Sequence, residues 1–221
     1  MNSGKDLSGS IIQYLTTTST NDKTYEEFTK EPYAGDFKIN KFADKLKDMI
    51  CVLINCTRRQ LEDRAFKETP LPEQWDCYID KTGKIVSQNQ YKAMPIYDKV
   101  DCARRKMTPR LMMQLVATEC FRNIIHPETW IISTMSSIMS DQSHNHIITD
   151  VRFHNEADTI KQNGGIIIKI NRPSEEDNNH THESETQIST YDKYDYIIDN
   201  EGSINDLIDK IKNVLISEKI I

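Results

Sequence analysis

HIITDVRFHNEADTIKQNGGIIIKINRP, residues 146–173, is the stretch whose reading decides the fold. Two apolar runs, Ile147-Ile148-Thr149 and Ile166-Ile167-Ile168-Lys169-Ile170, bracket a segment in which Phe153, Ala157 and Ile160 recur at helical spacing. Short runs rich in β-branched residues, without polar alternation, are expected of strands covered on both faces in a parallel sheet. Asn163-Gly164-Gly165 supplies the left-handed residue that ends a helix. The stretch therefore predicts a strand, a helix and a strand. Asp150 and Arg152 follow the first strand and so stand at the carboxyl edge of the sheet, where open α/β folds bind ligands.

Working outward, Ser174–Thr190 is dense in Glu, Asp, Asn, His and Thr, the composition of a mobile loop that cannot bury itself. His180 and His182 with Glu183, like His144 and His146, lack a third ligand at the spacing a zinc site needs. Tyr196-Ile197-Ile198 reads as a last buried strand. Asn200-Glu201-Gly202-Ser203 forms a turn with an N-cap serine, and Ile204, Leu207, Ile208, Ile211, Val214 and Leu215 mark a terminal amphipathic helix.

Upstream, Thr108-Pro109-Arg110 opens a helix with a hydroxyl N-cap and a proline at its first position. Leu111, Leu115 and Thr118 share one side of it; Arg110, Gln114 and Ala117 follow one another on another. That second row is either solvated surface or a face for a polar ligand, with the guanidinium on a phosphate and the amide on a base. A further helix from Pro127 buries Trp130, Ile131, Met135 and Ile138. Residues 57–107, broken by Pro70, Pro72 and Pro95, read as an inserted substrate-side subdomain or lid within a single domain over 1–221. In it Asp80-Lys81-Thr82-Gly83 is a hairpin turn between Cys77–Ile79 and Lys84–Val86. Before it, Phe37-Lys38-Ile39 is a short strand, and Phe42, Ala43, Leu46, Met49, Ile50, Leu53 and Ile54 trace a helical stripe suited to packing on the sheet. Strands alternating with helices make the class α/β.

The bounds agree with one such domain: 221 residues leave ample chain to bury a core. A net charge of -6 argues against a general nucleic-acid binder, since phosphate-backbone affinity needs a basic face. Five cysteines without paired CxxC spacing indicate neither a disulfide framework nor a zinc knuckle and fit reduced thiols. No apolar run approaches a membrane span and Met1 opens no signal-peptide pattern, so a cytoplasmic location is expected. At the N-terminus, Ser3-Gly4-Lys5-Asp6-Leu7-Ser8 precedes the apolar positions Ile11, Ile12 and Leu15. Gly-Lys ahead of an amphipathic helix is the end of a phosphate-binding loop, in which backbone N–H groups cradle phosphates and the lysine reaches the β- and γ-phosphates.

Several stretches together resemble one family. Leu61-Glu62-Asp63-Arg64-Ala65-Phe66-Lys67-Glu68, Thr108-Pro109-Arg110 with Gln114 and Thr118-Glu119, Thr149-Asp150-Val151-Arg152-Phe153 with Asn155-Glu156, Arg172-Pro173, and Asn200-Glu201-Gly202-Ser203 are similar to the deoxynucleoside monophosphate kinases of bacteriophages and large DNA viruses. The resemblance runs from Asn2 to about Val214. A more distant likeness, through the DxR strand end, is to the P-loop phosphomevalonate kinases.

The resemblance implies a P-loop kinase-like three-layer fold and transfer of the γ-phosphoryl group of ATP to a deoxynucleoside monophosphate. Such transfer asks for positioned cations, a metal and exclusion of water. Ser3, Gly4, Lys5, Asp6 and Ser8 would bind ATP, with Asn200 at its adenine; Asp6 and Asp150 would face Mg²⁺. Arg110, Gln114 and Arg152 would hold the acceptor. Lys5, Arg152 and Arg172 would be the catalytic cations, Arg172 on a lid over 172–190 that closes on the transferred group. The implied partners are ATP and the deoxynucleotide, with no nucleic-acid polymer, no membrane and a homodimer, in the host cytoplasm for a viral protein.

The sequence departs from the family at three places. The strand and glycine expected ahead of Gly4 are not in it, so the first strand of the sheet is expected to be missing. Leu7 stands where the family has threonine, leaving Ser8 as the substitute hydroxyl, and Ala117 replaces a glycine. The alternative readings are a catalytically impaired nucleotide-binding or interaction protein derived from such a kinase, and a P-loop kinase for another small phosphate such as phosphomevalonate.

Overall fold

The computed structural model describes residues 4–17, 23–86, 88–171, 188 and 190–221. The chain divides into two compact units, Met1–Ala43 with Trp130–Ile221, and Asp44–Thr129. The mixed α/β class expected from the sequence is what the structure shows, and among the described residues the parallel strands lie in the first unit.

In the first unit, α1 (Gly4–Thr16) and α2 (Tyr25–Phe28) precede β1 (Phe37–Asn40). After the second unit the chain returns through α9 (Thr129–Ser140), β5 (Asn145–Ile148), α10 (His154–Gln162), β6 (Ile168–Asn171), β7 (Tyr196–Asp199) and α11 (Ile204–Ser217). The strand, helix and strand of residues 146–173 are thus β5, α10 and β6. Gly164, at φ 81°, ends α10 in the left-handed region where a side chain is strained. Strand β1 pairs with β5 and β6 with β7, both in parallel register. Thr149 extends the first ladder by donating to the Asn40 carbonyl, and Asn200 extends the second by donating to the Asn171 carbonyl.

Helix α1 serves both ladders. Ile11, fully buried, packs with Ile198 of β7 and with Leu207, Ile211, Val214 and Leu215 of α11. Near the other ladder, a methyl group placed on Gly9 would lie 2.8 Å from Thr149 Cγ2 and 3.3 Å from Ile39 Cδ1, so glycine here permits the close approach. A second cluster joins Phe42, Ile131 and Met135, with Ile138, Ile148 and Val151 around it, which gives the Trp130, Ile131, Met135 and Ile138 side its expected burial. Each fully buried Leu or Ile contributes roughly 1.5–3 kcal/mol by leaving water. Two expectations need correction. Ile197 and Ile204 are exposed, so β7 is covered on one face and α11 begins its buried stripe at Leu207.

In the second unit, α3 (Asp44–Ile54) packs on α4 (Arg58–Glu62), and both α3 and α5 (Arg64–Glu68) pack on α8 (Pro109–Gln114). Only Leu46 and Ile50 of the stripe expected on α3 are buried; Met49 and Leu53 face outward, because α3 lies against helices here. Strands β2 (Cys77–Ile79), β3 (Ile85–Val86) and β4 (Ala103–Arg105) form an antiparallel sheet in the order β3-β2-β4, with α6 (Gln88–Ala93) and α7 (Ile96–Lys99) between β3 and β4. The β2–β3 hairpin turns where the sequence places it. Asp80 accepts N–H bonds from Thr82 and Lys84, and Gly83 takes φ 83°. Thr108 caps α8 by accepting from the Leu111 N–H, with Pro109 behind it. From Leu115 to Ile125 the helix continues in a wider π winding. Arg110 and Gln114 share a face one α-turn apart, but Ala117 lies in the π segment, so the expected polar row stops at Gln114.

Candidate functional site

Lys41, Thr149 and Asn200, from three separate parts of the sequence, meet Gly4 and Asp6 at the start of α1. Gly4, Lys5 and Asp6 open the described part of this helix, at the positive end of its dipole. Lys5 is exposed in that turn. Asp6, half-exposed, receives two groups on one oxygen: the Thr149 hydroxyl donates to Oδ1 at 2.8 Å, and Lys41 Nζ lies 2.7 Å from the same Oδ1. Thr149 immediately follows β5 and Lys41 immediately follows β1, so both come from the carboxyl edge of one ladder. Asn200, just past β7, is at the corresponding edge of the other. A methyl group on Gly4 would lie 3.2 Å from its Nδ2 and 3.3 Å from Ile170 Cγ2.

Asp150 stands next to Thr149 and is fixed by backbone. Its Oδ1 accepts the Phe42 N–H at 2.8 Å and its Oδ2 the Ala43 N–H at 3.0 Å. Arg152 is exposed at the entrance to α10. Its own N–H, with that of Phe153, donates to Glu156 Oε2 at 2.7 and 3.2 Å. Glu156 is 2% exposed, and those two bonds to the opening of α10 are what make a buried carboxylate there tolerable. The carboxylate of Asp6, which accepts from the Thr149 hydroxyl, and that of Asp150, the next residue along, are hard oxygen donors. Mg²⁺ takes one or two carboxylates and completes its shell with water and substrate phosphates, so this donor set fits that ion.

Ser8 is a correction. Its hydroxyl donates to the Gly4 carbonyl at 2.7 Å inside α1 and is buried, so it is not presented to a ligand as a substitute for the missing threonine. Ser3 and Arg172 lie outside the described residues, as does all of the 172–190 lid except 188 and 190.

The second unit carries the remaining candidates. Arg110 pairs with Glu68 at the end of α5, and Gln114 is half-buried one turn further along α8. Beside them Arg58 bonds Asp44 at 2.8 Å and Asp48 at 2.6 Å, and Lys47 bonds Glu62 at 2.8 Å. Burial pushes the Lys67 ammonium down, against the pull of Glu62. A polar pocket of about 220 Å³, lined by Asp76, Tyr78, Gln88, Tyr91 and Arg104 among others, contains none of the expected site residues. Two site residues escape the sequence reading: Lys41 and Thr149 as a partner of Asp6. The available signal was position, since each stands directly after a strand.

A helix end carrying Gly-Lys-Asp, met by residues from the carboxyl ends of parallel strands, stands where open α/β folds bind their ligands. A family model described as deoxynucleotide monophosphate kinase matches residues 45–211. The chain belongs to that family. It is 28% identical over 141 residues to a deoxynucleotide monophosphate kinase of Enterobacteria phage T4, covering 62% of this chain and 57% of that one. It is 41% identical over 56 residues to a deoxynucleoside-5'-monophosphate kinase of Escherichia phage T5, covering 25% and 22%. A relative from Acanthamoeba polyphaga mimivirus is 33% identical over 118 residues, covering 47% and 59%. The chain therefore spans less than two thirds of the length of each of these relatives. Among the described residues, no helix is long and apolar enough to cross a membrane.

Proposed function

We propose that the chain is a deoxynucleoside monophosphate kinase, moving the γ-phosphoryl group of ATP to a deoxynucleoside monophosphate and releasing the two diphosphates. The observation that carries this reading is the meeting, at the N-terminus of α1, of groups from three distant parts of the sequence: Lys41, Thr149 and Asn200. In this reading Lys5 and the first N–H groups of α1 hold the donor phosphates, and Asn200 contacts adenine. Asp6 and Asp150 hold Mg²⁺, which when bound supplies positive charge against the phosphate oxygens. Arg152 binds the acceptor's phosphate, Arg110 and Gln114 its phosphate or base, and Arg172 closes over the transferred group. None of these residues needs to form a covalent bond, because phosphoryl transfer is governed by positioning and charge.

Within this reading the sheet belongs to a three-layer P-loop fold. In it the ladders β1–β5 and β6–β7 belong to one parallel sheet, and α1 packs on both.

The test is transfer of labelled phosphate from ATP to each of the four deoxynucleoside monophosphates with Mg²⁺, comparing the parent chain with Lys5→Ala. The expected result is labelled diphosphate, reduced about 10²- to 10³-fold in the variant, as when one preorganised charge donor is removed. A parent chain no faster than the variant refutes catalysis. That outcome, together with retained ATP binding, is what the second reading expects: a nucleotide-binding protein without turnover. Leu7 in the threonine position and the internal bond of Ser8 favour that second reading.

A further inference from the structure

We infer that Lys41 occupies the cation position on Asp6 in the metal-free protein and yields it to Mg²⁺, exchanging the carboxylate for a phosphate oxygen of the bound nucleotide. This rests on the kinase reading for its nucleotide, but the exchange at Asp6 can be tested without turnover. The geometry has three parts. Lys41 Nζ is 2.7 Å from Asp6 Oδ1, with 26% of the lysine side chain and 39% of the aspartate side chain still open to solvent. The Thr149 hydroxyl donates to the same oxygen, which turns the carboxylate toward the edge where Lys41 emerges. Asp150 clamps the two N–H groups that follow Lys41, those of Phe42 and Ala43, so the lysine's backbone is fixed at the site while its four-carbon stem can move.

Such an arrangement has a clear electrostatic consequence. Without metal, the charge on Asp6 is met by the Lys41 ammonium and the Thr149 hydroxyl on one oxygen. The ammonium removes part of that charge. When a divalent ion arrives, it competes for Oδ1 with a monovalent, partly hydrated partner, and the displaced ammonium keeps three donors suited to a phosphate oxygen. A half-exposed ion pair is a modest competitor, so the exchange is easily reversed.

The experiment titrates Mg²⁺ into the full chain without nucleotide, by calorimetry and by Mn²⁺ competition. The proteins are the parent, Lys41→Met, Lys41→Arg, Asp6→Asn and the double variant Lys41→Met with Asp6→Asn. Lys41→Met is expected to bind Mg²⁺ about threefold more tightly than the parent, the release of a competitor of this strength. Lys41→Arg should stay near the parent, and the gain should vanish in the Asp6→Asn background. In the transfer assay Lys41→Met should reach half-saturation at lower Mg²⁺ while its kcat falls. Unchanged affinity in Lys41→Met, no Mg²⁺ binding by any of the proteins, or an equal gain without Asp6 would overturn the exchange. Circular dichroism confirms that each variant is folded, and Lys41→Arg tests the pair if Lys41→Met is not. A chain that transfers no phosphate fails the kinase reading alone, since the Mg²⁺ titration still reports on Lys41.

Discussion

The charged groups of the two units are held in different ways. In the first unit two acids are anchored by groups whose positions the backbone sets: Asp150 by the N–H groups of Phe42 and Ala43, Glu156 by those of Arg152 and Phe153. In the second unit the cations are held by other flexible side chains: Arg110 by Glu68, Arg58 by Asp44 and Asp48. Backbone anchoring fixes an acid to within a hydrogen-bond length and makes its loss expensive, because orphaned N–H groups must be desolvated unpaired. Exposed pairs cost little to form or break, so their cations can leave the carboxylate for an anionic ligand. The first arrangement suits a preset metal and phosphate site, the second a substrate site that charges only on binding.

Three substitutions test that contrast, in falling order of effect on stability. Asp150→Ala leaves two N–H groups without their acceptor and should cost roughly 3 kcal/mol in urea unfolding, together with most of the transfer activity. A loss below 1 kcal/mol would mean that the clamp is replaceable by water. Gly9→Ala gains up to about 1 kcal/mol of helix propensity but drives a methyl group into Thr149, whose overpacking costs 1–3 kcal/mol, so a net loss of about 1 kcal/mol is expected. Because Thr149 orients Asp6, Mg²⁺ affinity should weaken with it; a more stable variant with unchanged Mg²⁺ affinity would contradict the tight approach. Arg110→Ala should change stability by less than 1 kcal/mol, since it breaks only a half-exposed pair. Its effect should fall on the acceptor, as a rise of about tenfold in KM for the deoxynucleotide with KM for ATP unmoved. A large stability loss there would place Arg110 with the anchored groups and break the comparison.

How much of this was legible beforehand follows the same division. The strand, helix and strand of 146–173 could be read because apolar runs and Gly164 are local signals, and β5, α10 and β6 obey them. The hairpin at Asp80–Gly83 and the caps at Thr108 and Ser203 were readable for the same reason, each being a side chain bonded to its own neighbourhood. What could not be read was pairing across long separations. Nothing near Lys41 in the sequence names Asp6 as its partner, and Ser8 looked available until its helix turned the hydroxyl back on Gly4. The π winding after Gln114 was hidden too, because LVATECFRNII has ordinary helical periodicity, and the choice of i→i+5 bonding is made by packing rather than by local propensity.

The smallest effect concerns a charge cluster of intermediate kind, at Asp141 after α9. Its carboxylate is held well below the usual range by His144 first, then by Lys38 and the Ser143 hydroxyl, and the cluster is side-chain to side-chain, as in the second unit, although it lies in the first. A carboxyl whose folded pKa is depressed contributes stability that is present above its unfolded value, near 3.9, and is lost as pH falls through the folded pKa. Urea midpoints of the parent and Asp141→Asn should therefore differ by a small amount at pH 5. Below about pH 4 the parent should lose its advantage progressively, because the unfolded chain then takes up a proton that the folded carboxylate refuses. A gap that persists undiminished at pH 3 would show that the Asp141 contacts act through hydrogen-bond geometry, which Asn disrupts at every pH, and not through charge. In that case position in the first unit, and not the type of partner, would decide how firmly an acid is held.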